Sequence, residues 1–185
     1  MLHTTFRKAK EMGACSSEYN KMAKALSGVK EYGADTPVPL DKVLDICGLD
    51  AALWCLCCVI EPADKEIRLL ACDFAEHTLS IFEEKYPNNK RPRQTIEISR
   101  KFAEGETTRE DLAAAGDAPA VARAVAGAAA VDVLAVARAV AGAVAGDVWD
   151  AALAARAVAR DAAWDAAWAA ENQWQEKKFR EMLNK

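Results

Sequence analysis

Three neighbouring side chains near the middle of the chain have the chemical types that acid/base catalysis uses. Asp73 and Glu76 are three residues apart and His77 follows directly, so on a helix the two carboxylates lie one turn apart beside an imidazole. One hypothesis is therefore a small enzyme that uses Asp73 and Glu76 as its acid/base pair. Carboxylates at this spacing are more often solvated or paired with arginine, which is the interpretation we favour. Three downstream arginines are candidate partners: Arg91, Arg93 and Arg100.

A candidate metal site consists of four cysteines and one histidine: Cys55, Cys57, Cys58, Cys72 and His77. Their spacing opposes metal binding, because on a helix Cys55 and Cys58 share a face while Cys57 points elsewhere. No Cys-x-x-Cys pair recurs downstream. We predict small buried thiols that pack like alanine, with no bound metal and no cofactor.

Positive charge is most concentrated in the segment Lys90-Arg91-Pro92-Arg93. Guanidinium groups hold phosphates and carboxylates, so Arg91 and Arg93 are candidate contacts to a partner protein. The alternative, which we favour, is that these arginines pair with carboxylates of the same chain and lock its helices together. The candidate carboxylates are Asp50, Asp73 and Glu76.

A second candidate contact surface is a patch rich in tryptophan and aspartate: Asp161, Trp164, Asp165 and Trp168. Tryptophans left in water invite aggregation, so those of the second half must pack internally or face a partner. We expect Trp149 and Leu153 to pack inward and the patch to be partly reachable. It would then serve as a seam for a second copy of the chain or for a target protein.

Composition and charge argue against several function classes. The 185 residues include 24 Lys+Arg and 28 Asp+Glu, a net charge of −4, without a basic stripe to attract nucleic acid. No run of 18 large apolar residues predicts a membrane span, and residues 1–10 lack the apolar core of a signal peptide. We therefore predict a cytoplasmic protein that does not bind membranes. Neither a glycine-rich phosphate loop nor a Gly-x-Ser-x-Gly turn is present.

Helix caps and helix breakers predict an all-α fold that begins with a compact multi-helix domain over residues 1–112. The first predicted helix ends at residue 12. The others cover residues 18–26, 40–47, 51–59, 65–86 and 92–103. The predicted caps are Thr4 or Thr5, Ser16 or Ser17, Asp50, Asp64 and the capping box Thr108-x-x-Asp111. Pro37 and Pro39 predict a loop over residues 33–39.

The second half is an alanine-rich tail, predicted as residues 113–185. Residues 113–170 contain 29 alanines, a composition that favours helix. Val-Ala-Arg-Ala-Val-Ala-Gly-Ala occurs at 121–128 and 136–143, and Trp-Asp-Ala-Ala at 149–152 and 164–167, each pair 15 residues apart. We predict two long antiparallel helices, over 119–145 and 147–183. Because an alanine stripe buries little area, this tail must pack on the first domain or on another copy, as a homo-oligomer.

Several motifs spread over most of the chain are similar to those of a family of small phage and bacterial proteins. The first motifs are Phe-Arg-Lys-Ala-Lys-Glu-Met-Gly-Ala-Cys at 6–15, Tyr19, Lys-Ala-Leu at 24–26 and Tyr32-Gly33-x-Asp35-Thr36-Pro37. Those that follow are Gly-Leu-Asp-Ala-Ala-Leu-Trp at 48–54, Ala-Cys-Asp-Phe-Ala-Glu at 71–76, Phe82-Glu-x-x-Tyr86-Pro87, Lys-Arg-Pro-Arg at 90–93 and Arg100-x-Phe-Ala-x-Gly105. The chain thus resembles the immunity proteins of polymorphic toxin systems, many of which end in Ala/Arg/Asp/Trp-rich repeats.

The resemblance implies a non-enzymatic protein that binds and inhibits a cognate toxin. Because the family occurs in phages, a second hypothesis is an inhibitor of a host defence system, such as an anti-CRISPR protein. Two departures from the family pattern matter for both hypotheses. Cys57 stands where relatives have arginine, which removes a charge from the predicted central helix. Residues 121–146 are also richer in valine and glycine than the family pattern, so a partner contact there would differ.

Overall fold

The fold is described by a computed structural model that covers residues 1–115 and 166–184. Within these ranges the chain is almost entirely helical, and its sheet consists of two strands of two residues each. The predicted all-α class is therefore confirmed. The two long alanine-rich helices fall mainly on residues 116–165, outside the described residues, and stay a prediction, as does the domain boundary at residue 112.

The chain divides into two compact units. The first combines Met1–Ala63 with Glu176–Lys185, and the second is Asp64–Gln175. The C-terminal helix, Ala166–Leu183, contributes residues to both units. In the described part of the chain, no helix combines the length and the apolar composition that a membrane crossing needs.

The first unit contains short elements joined by tight turns. They are β1 (His3–Thr4), α1 (Phe6–Glu11), α2 (Ser16–Ala25), α3 (Val29–Tyr32), β2 (Val38–Pro39), α4 (Leu40–Cys47), α5 (Leu49–Trp54) and a 3₁₀ helix (Cys55–Cys58). The two strands are antiparallel, with Thr4 opposite Val38. The apolar core includes Leu40, Leu53 and, from the C-terminal helix, Phe179, each at most 1% exposed. Burial of such large side chains is the main term that stabilises this unit.

Of the helix caps predicted for the first unit, that of α1 is confirmed and that of α2 is not. Thr5 caps α1 by accepting a hydrogen bond from the backbone N–H of Lys8, as predicted. The predicted cap of α2 was wrong, because Ser16 and Ser17 lie inside the helix and Cys15 precedes it without a side-chain cap bond. The chain also forms α3 and the two strands where no regular element was predicted.

The apolar segment after Gly48 was predicted to be one continuous helix over 51–59, and the structure differs. The α-helix begins at Leu49 and ends at Trp54, and the chain continues as the 3₁₀ helix. Asp50 therefore lies in the first helical turn rather than at the cap. The prediction that this segment is central to the core is confirmed by Ala52, Leu53 and Leu56, which are all buried.

The second unit is organised by two long helices, α6 (Asp64–Lys85) and α7 (Arg91–Glu104), which pack against each other. Pro92 lies in the first turn of α7, where a missing backbone N–H costs nothing. Residues 109–115 are helical, and their start has the predicted capping box. The backbone N–H of Asp111 donates to Thr108 Oγ1, and the backbone N–H of Thr108 donates to Asp111 Oδ2, both at 3.1 Å.

Candidate functional site

Helices α6 and α7 are connected along one face by an ion-pair ladder, which consists of Asp73, Glu76, Glu83, Arg93 and Arg100. The sequence positions these side chains through helical periodicity. On α6 the three carboxylates follow at spacings of three and seven residues, and on α7 the two arginines are seven apart, so each set forms one stripe. Asp73 pairs with Arg100 while Glu83 pairs with Arg93, which requires the two helices to be antiparallel.

Arg100 joins two of the carboxylates. Its Nη2 donates to Asp73 Oδ1 at 2.6 Å and to Glu76 Oε2 at 2.7 Å. Partial burial alone would lower the pKa of Arg100, but the hydrogen bonds and charge of these carboxylates raise it, so the guanidinium stays ionised. A single cation thus balances two carboxylates one turn apart that would otherwise repel each other.

Arg93 makes the second rung of the ladder. Its Nε and Nη2 donate to the two carboxylate oxygens of Glu83 at 2.8 and 2.6 Å, the two-point geometry for which a planar guanidinium is suited. This hydrogen bonding raises the pKa of Arg93 and lowers the pKa of Glu83. Glu76 lies further away, with its Oε1 3.9 Å from Arg93 Nη1.

The ladder shows the ion pairing that was favoured for Asp73 and Glu76. Both carboxylates accept hydrogen bonds from Arg100, as the ion-paired interpretation predicted, and these bonds occupy oxygens that an acid/base pair needs for its substrate. The prediction that Arg93 binds a carboxylate of the same chain is also confirmed, although its main partner, Glu83, was not among the candidates.

A second polar group in this unit brings α6 together with the C-terminal helix. His77 Nδ1 lies 2.8 Å from Glu171 Oε2, and Gln175 Nε2 donates to Glu171 Oε1 at 2.8 Å. The carboxylate is therefore held at both oxygens although its side chain is only 5% exposed. His77 also makes an aromatic contact, because its ring stacks on that of Trp174 with centroids 3.8 Å apart.

This histidine group could not be found from sequence periodicity. His77 and Glu171 are 94 positions apart, and the intervening alanine-rich segment contains no signal for their pairing. The side chain of His77 is 40% exposed. What the sequence did not indicate is that the C-terminal helix supplies both the stacking partner and the carboxylate.

The predicted contact residues occupy different parts of the chain. Arg91 is exposed in the first turn of α7 and forms no ion pair with any residue of 1–115 or 166–184. Trp168 lies in the C-terminal helix. The other members of the tail patch, Asp161, Trp164 and Asp165, lie outside the described residues.

The cysteines follow their prediction with one exception. All six are thiols, and Cys55, Cys58 and Cys72 are buried, whereas Cys57 is exposed, contrary to prediction. Burial raises the pKa of Cys72 to about 12, which keeps it protonated. Across the residues that the structure covers, His, Cys, Asp and Glu side chains form no group of three or more suited to a metal ion.

The family of the chain is decided by comparison with known protein families. The sequence model described as "Imm-5 like putative immunity protein" matches residues 58–181, which are 124 of the 185 residues. The chain belongs to this Imm-5 like family. No curated protein and no solved structure matches it.

For this Imm-5 like protein, the matched range contains the whole ion-pair ladder and the histidine group, together with every predicted contact residue of the tail. The motifs before residue 58 that also resemble immunity proteins lie outside the match. Membership of this family suggests an inhibitory role. The partner and the mode of inhibition go beyond the match itself.

Proposed function

We propose that this Imm-5 like protein is a non-enzymatic inhibitor that binds a cognate toxin and neutralises it in the cytoplasm. Its membership of an immunity protein family, over residues 58–181, carries this proposal. The ion-pair ladder supports binding rather than catalysis, because the candidate acid/base pair, Asp73 and Glu76, is engaged by Arg100.

The proposed binding surface combines the start of α7 with the tail patch, and its residues are Arg91, Arg93, Asp161, Trp164, Asp165 and Trp168. Arg91 offers an exposed cation, while the two-point pair with Glu83 holds Arg93 in a fixed orientation. Arginine and tryptophan are the residue types that most often dominate the binding energy of protein interfaces. The same tail patch is the proposed contact between copies if the protein forms a homo-oligomer.

Growth rescue tests the proposed function. A toxin gene that neighbours the gene of this protein is induced in a bacterial host, with or without the full Imm-5 like chain. We expect the full chain to restore growth and to co-purify with the toxin. Continued growth arrest, with both proteins present and folded, would contradict the proposal and turn attention to host defence systems as targets.

Substitutions then test the proposed surface. Arg91→Glu reverses an exposed charge and is expected to weaken rescue, whereas Lys101→Ala, an exposed change further along α7, serves as its control. In the tail, Trp164→Ala and Trp168→Ala should leave the chain folded but reduce toxin binding or self-association, as measured by light scattering. If they unfold the protein as much as Trp54→Ala does, the patch is internal packing and this part of the proposal fails.

A further inference from the structure

The 3₁₀ helix of the first unit carries three thiols in four residues, Cys55, Cys57 and Cys58, which the proposed function does not use. A 3₁₀ helix has three residues per turn, so the side chains of residues 55 and 58 lie above each other. Three steps of about 2 Å separate their Cα atoms by roughly 6 Å, within the range that a disulfide spans. The change from α-helix to 3₁₀ helix at Cys55 therefore aligns these two thiols.

We propose that Cys55 and Cys58 are a dithiol site that a small hydroperoxide oxidises to a disulfide within the folded protein. The observation that carries this proposal is the 3₁₀ turn, which brings the Cys58 sulfur back against Cys55, where its S–H donates to the Cys55 backbone oxygen. Cys58 Sγ lies 3.3 Å from the backbone oxygen of Cys55 and 3.2 Å from Thr4 Oγ1. The inference is independent of toxin binding.

Neighbouring groups give the two thiols different roles. The Cys55 thiol hydrogen-bonds to the Cys58 sulfur and lowers the pKa of Cys58, against the effect of burial, with further contributions from Thr4, Cys57 and the charge of Lys8. The same contact raises the pKa of Cys55. Cys58 is therefore the thiolate that attacks, and Cys55 is the protonated thiol that resolves the intermediate.

Access favours a small oxidant. Cys55 and Cys58 are 7% and 2% exposed, whereas Cys57, between them in sequence, is exposed. Hydrogen peroxide is little larger than water, and side chains this buried exclude a bulky disulfide reagent more strongly than they exclude peroxide. Cys58 also contacts Thr4, which belongs to a strand of only two residues.

The oxidation proceeds in two balanced steps. The Cys58 thiolate attacks one oxygen of hydrogen peroxide, the O–O bond breaks, and the released hydroxide takes up a proton, which leaves Cys58 as a sulfenic acid. Cys55 then loses its proton as its sulfur attacks Cys58, and the S–O bond breaks to release hydroxide, which that proton converts to water. The two sulfurs lose two electrons in total, and the peroxide is reduced to two waters.

Peptide mapping of the full chain tests the proposal directly. The reduced, folded protein is treated with a slight excess of hydrogen peroxide, remaining thiols are alkylated, and the tryptic peptide of residues 43–65 is fragmented in a mass spectrometer. We expect Cys47 and Cys57 to be alkylated and the peptide to be two hydrogens lighter than the same doubly alkylated peptide with free thiols at Cys55 and Cys58. No backbone fragments should separate residue 55 from residue 58. A different pairing, a fully alkylated peptide, or a disulfide that forms only in denaturant would overturn the proposal.

Variants and an internal control sharpen this test. Cys57→Ser should still form the disulfide, whereas Cys55→Ser should trap Cys58 as a sulfenic acid that dimedone labels when the treated protein is unfolded in its presence. Cys15 contacts Ser17 Oγ at 3.2 Å and should be labelled by dimedone, which verifies that the peroxide was active. Labelled Cys15 beside an unoxidised 43–65 peptide would contradict the inference.

Discussion

The imidazole of His77 lies flat against the indole of Trp174, with ring centroids 3.8 Å apart and ring planes within 5° of parallel. The same histidine approaches the buried carboxylate of Glu171, so one side chain of α6 makes both an aromatic and a polar contact with the C-terminal helix. Phe74 adds to this contact, with its ring centroid 5.9 Å from that of Trp174. The second unit therefore depends on residues that follow the alanine-rich segment.

The carboxylate at the centre of this group should contribute to stability. Glu171→Ala leaves the buried Gln175 amide and the His77 ring without their shared acceptor, and we expect a loss of about 1–3 kcal/mol in the free energy of unfolding. Urea denaturation followed by tryptophan fluorescence measures this change. Gln173→Ala, two positions along on the exposed side of the same helix, should change it little. Equal effects of the two substitutions would contradict the proposed role.

Arg100, which pairs with two carboxylates, should contribute more to stability than its neighbour Lys101. Arg100→Ala removes the cation that Asp73 and Glu76 share, and we expect the protein to lose about 1–3 kcal/mol of stability. Lys101→Ala removes the same charge from an exposed position and should cost far less. Thermal unfolding of both variants provides the comparison. A wild-type melting temperature for Arg100→Ala would mean that the ladder is not structural.

The Glu83–Arg93 rung predicts how stability depends on pH. Because the pKa of Glu83 is below its ordinary value of 4.5, this pair contributes stability above about pH 4.5 that is lost as the pH falls through the lowered value. Glu83→Gln should therefore destabilise the protein at neutral pH and make its stability less sensitive to acid. Glu84→Gln, an exposed change one residue on, should leave the acid sensitivity at the wild-type level.

Much of the fold was accessible from sequence because local signals set it. Gly48 ends α4 with a φ of +90°, a conformation that favours glycine, and Pro92 lies in the first turn of α7, so those boundaries were predicted closely. The 3₁₀ helix was missed because its apolar residues suit either helix type. The pairing of His77 with Glu171 is a tertiary contact across a long sequence separation, which periodicity cannot detect.

The C-terminal residues should be essential to the first unit. Phe179 is completely buried although it is six residues from the end of the chain, and Phe179→Ala should cost about 3–5 kcal/mol. Lys177→Ala, at an exposed position on the same helix, is the matched control. Urea denaturation measures both. A Phe179→Ala protein as stable as the control would show that this part of the helix is not core.

Titration of purified toxin with the full chain tests the central claim, inhibition by binding, most directly. Toxin activity is measured after incubation with increasing amounts of the Imm-5 like protein, and the mixtures are analysed by size-exclusion chromatography with light scattering. We predict that activity falls linearly to an equivalence point and that a complex of the same fixed ratio elutes. The claim would be contradicted if amounts of the Imm-5 like protein far below the amount of toxin abolished toxin activity progressively and completely, with no complex. That result would indicate an enzyme.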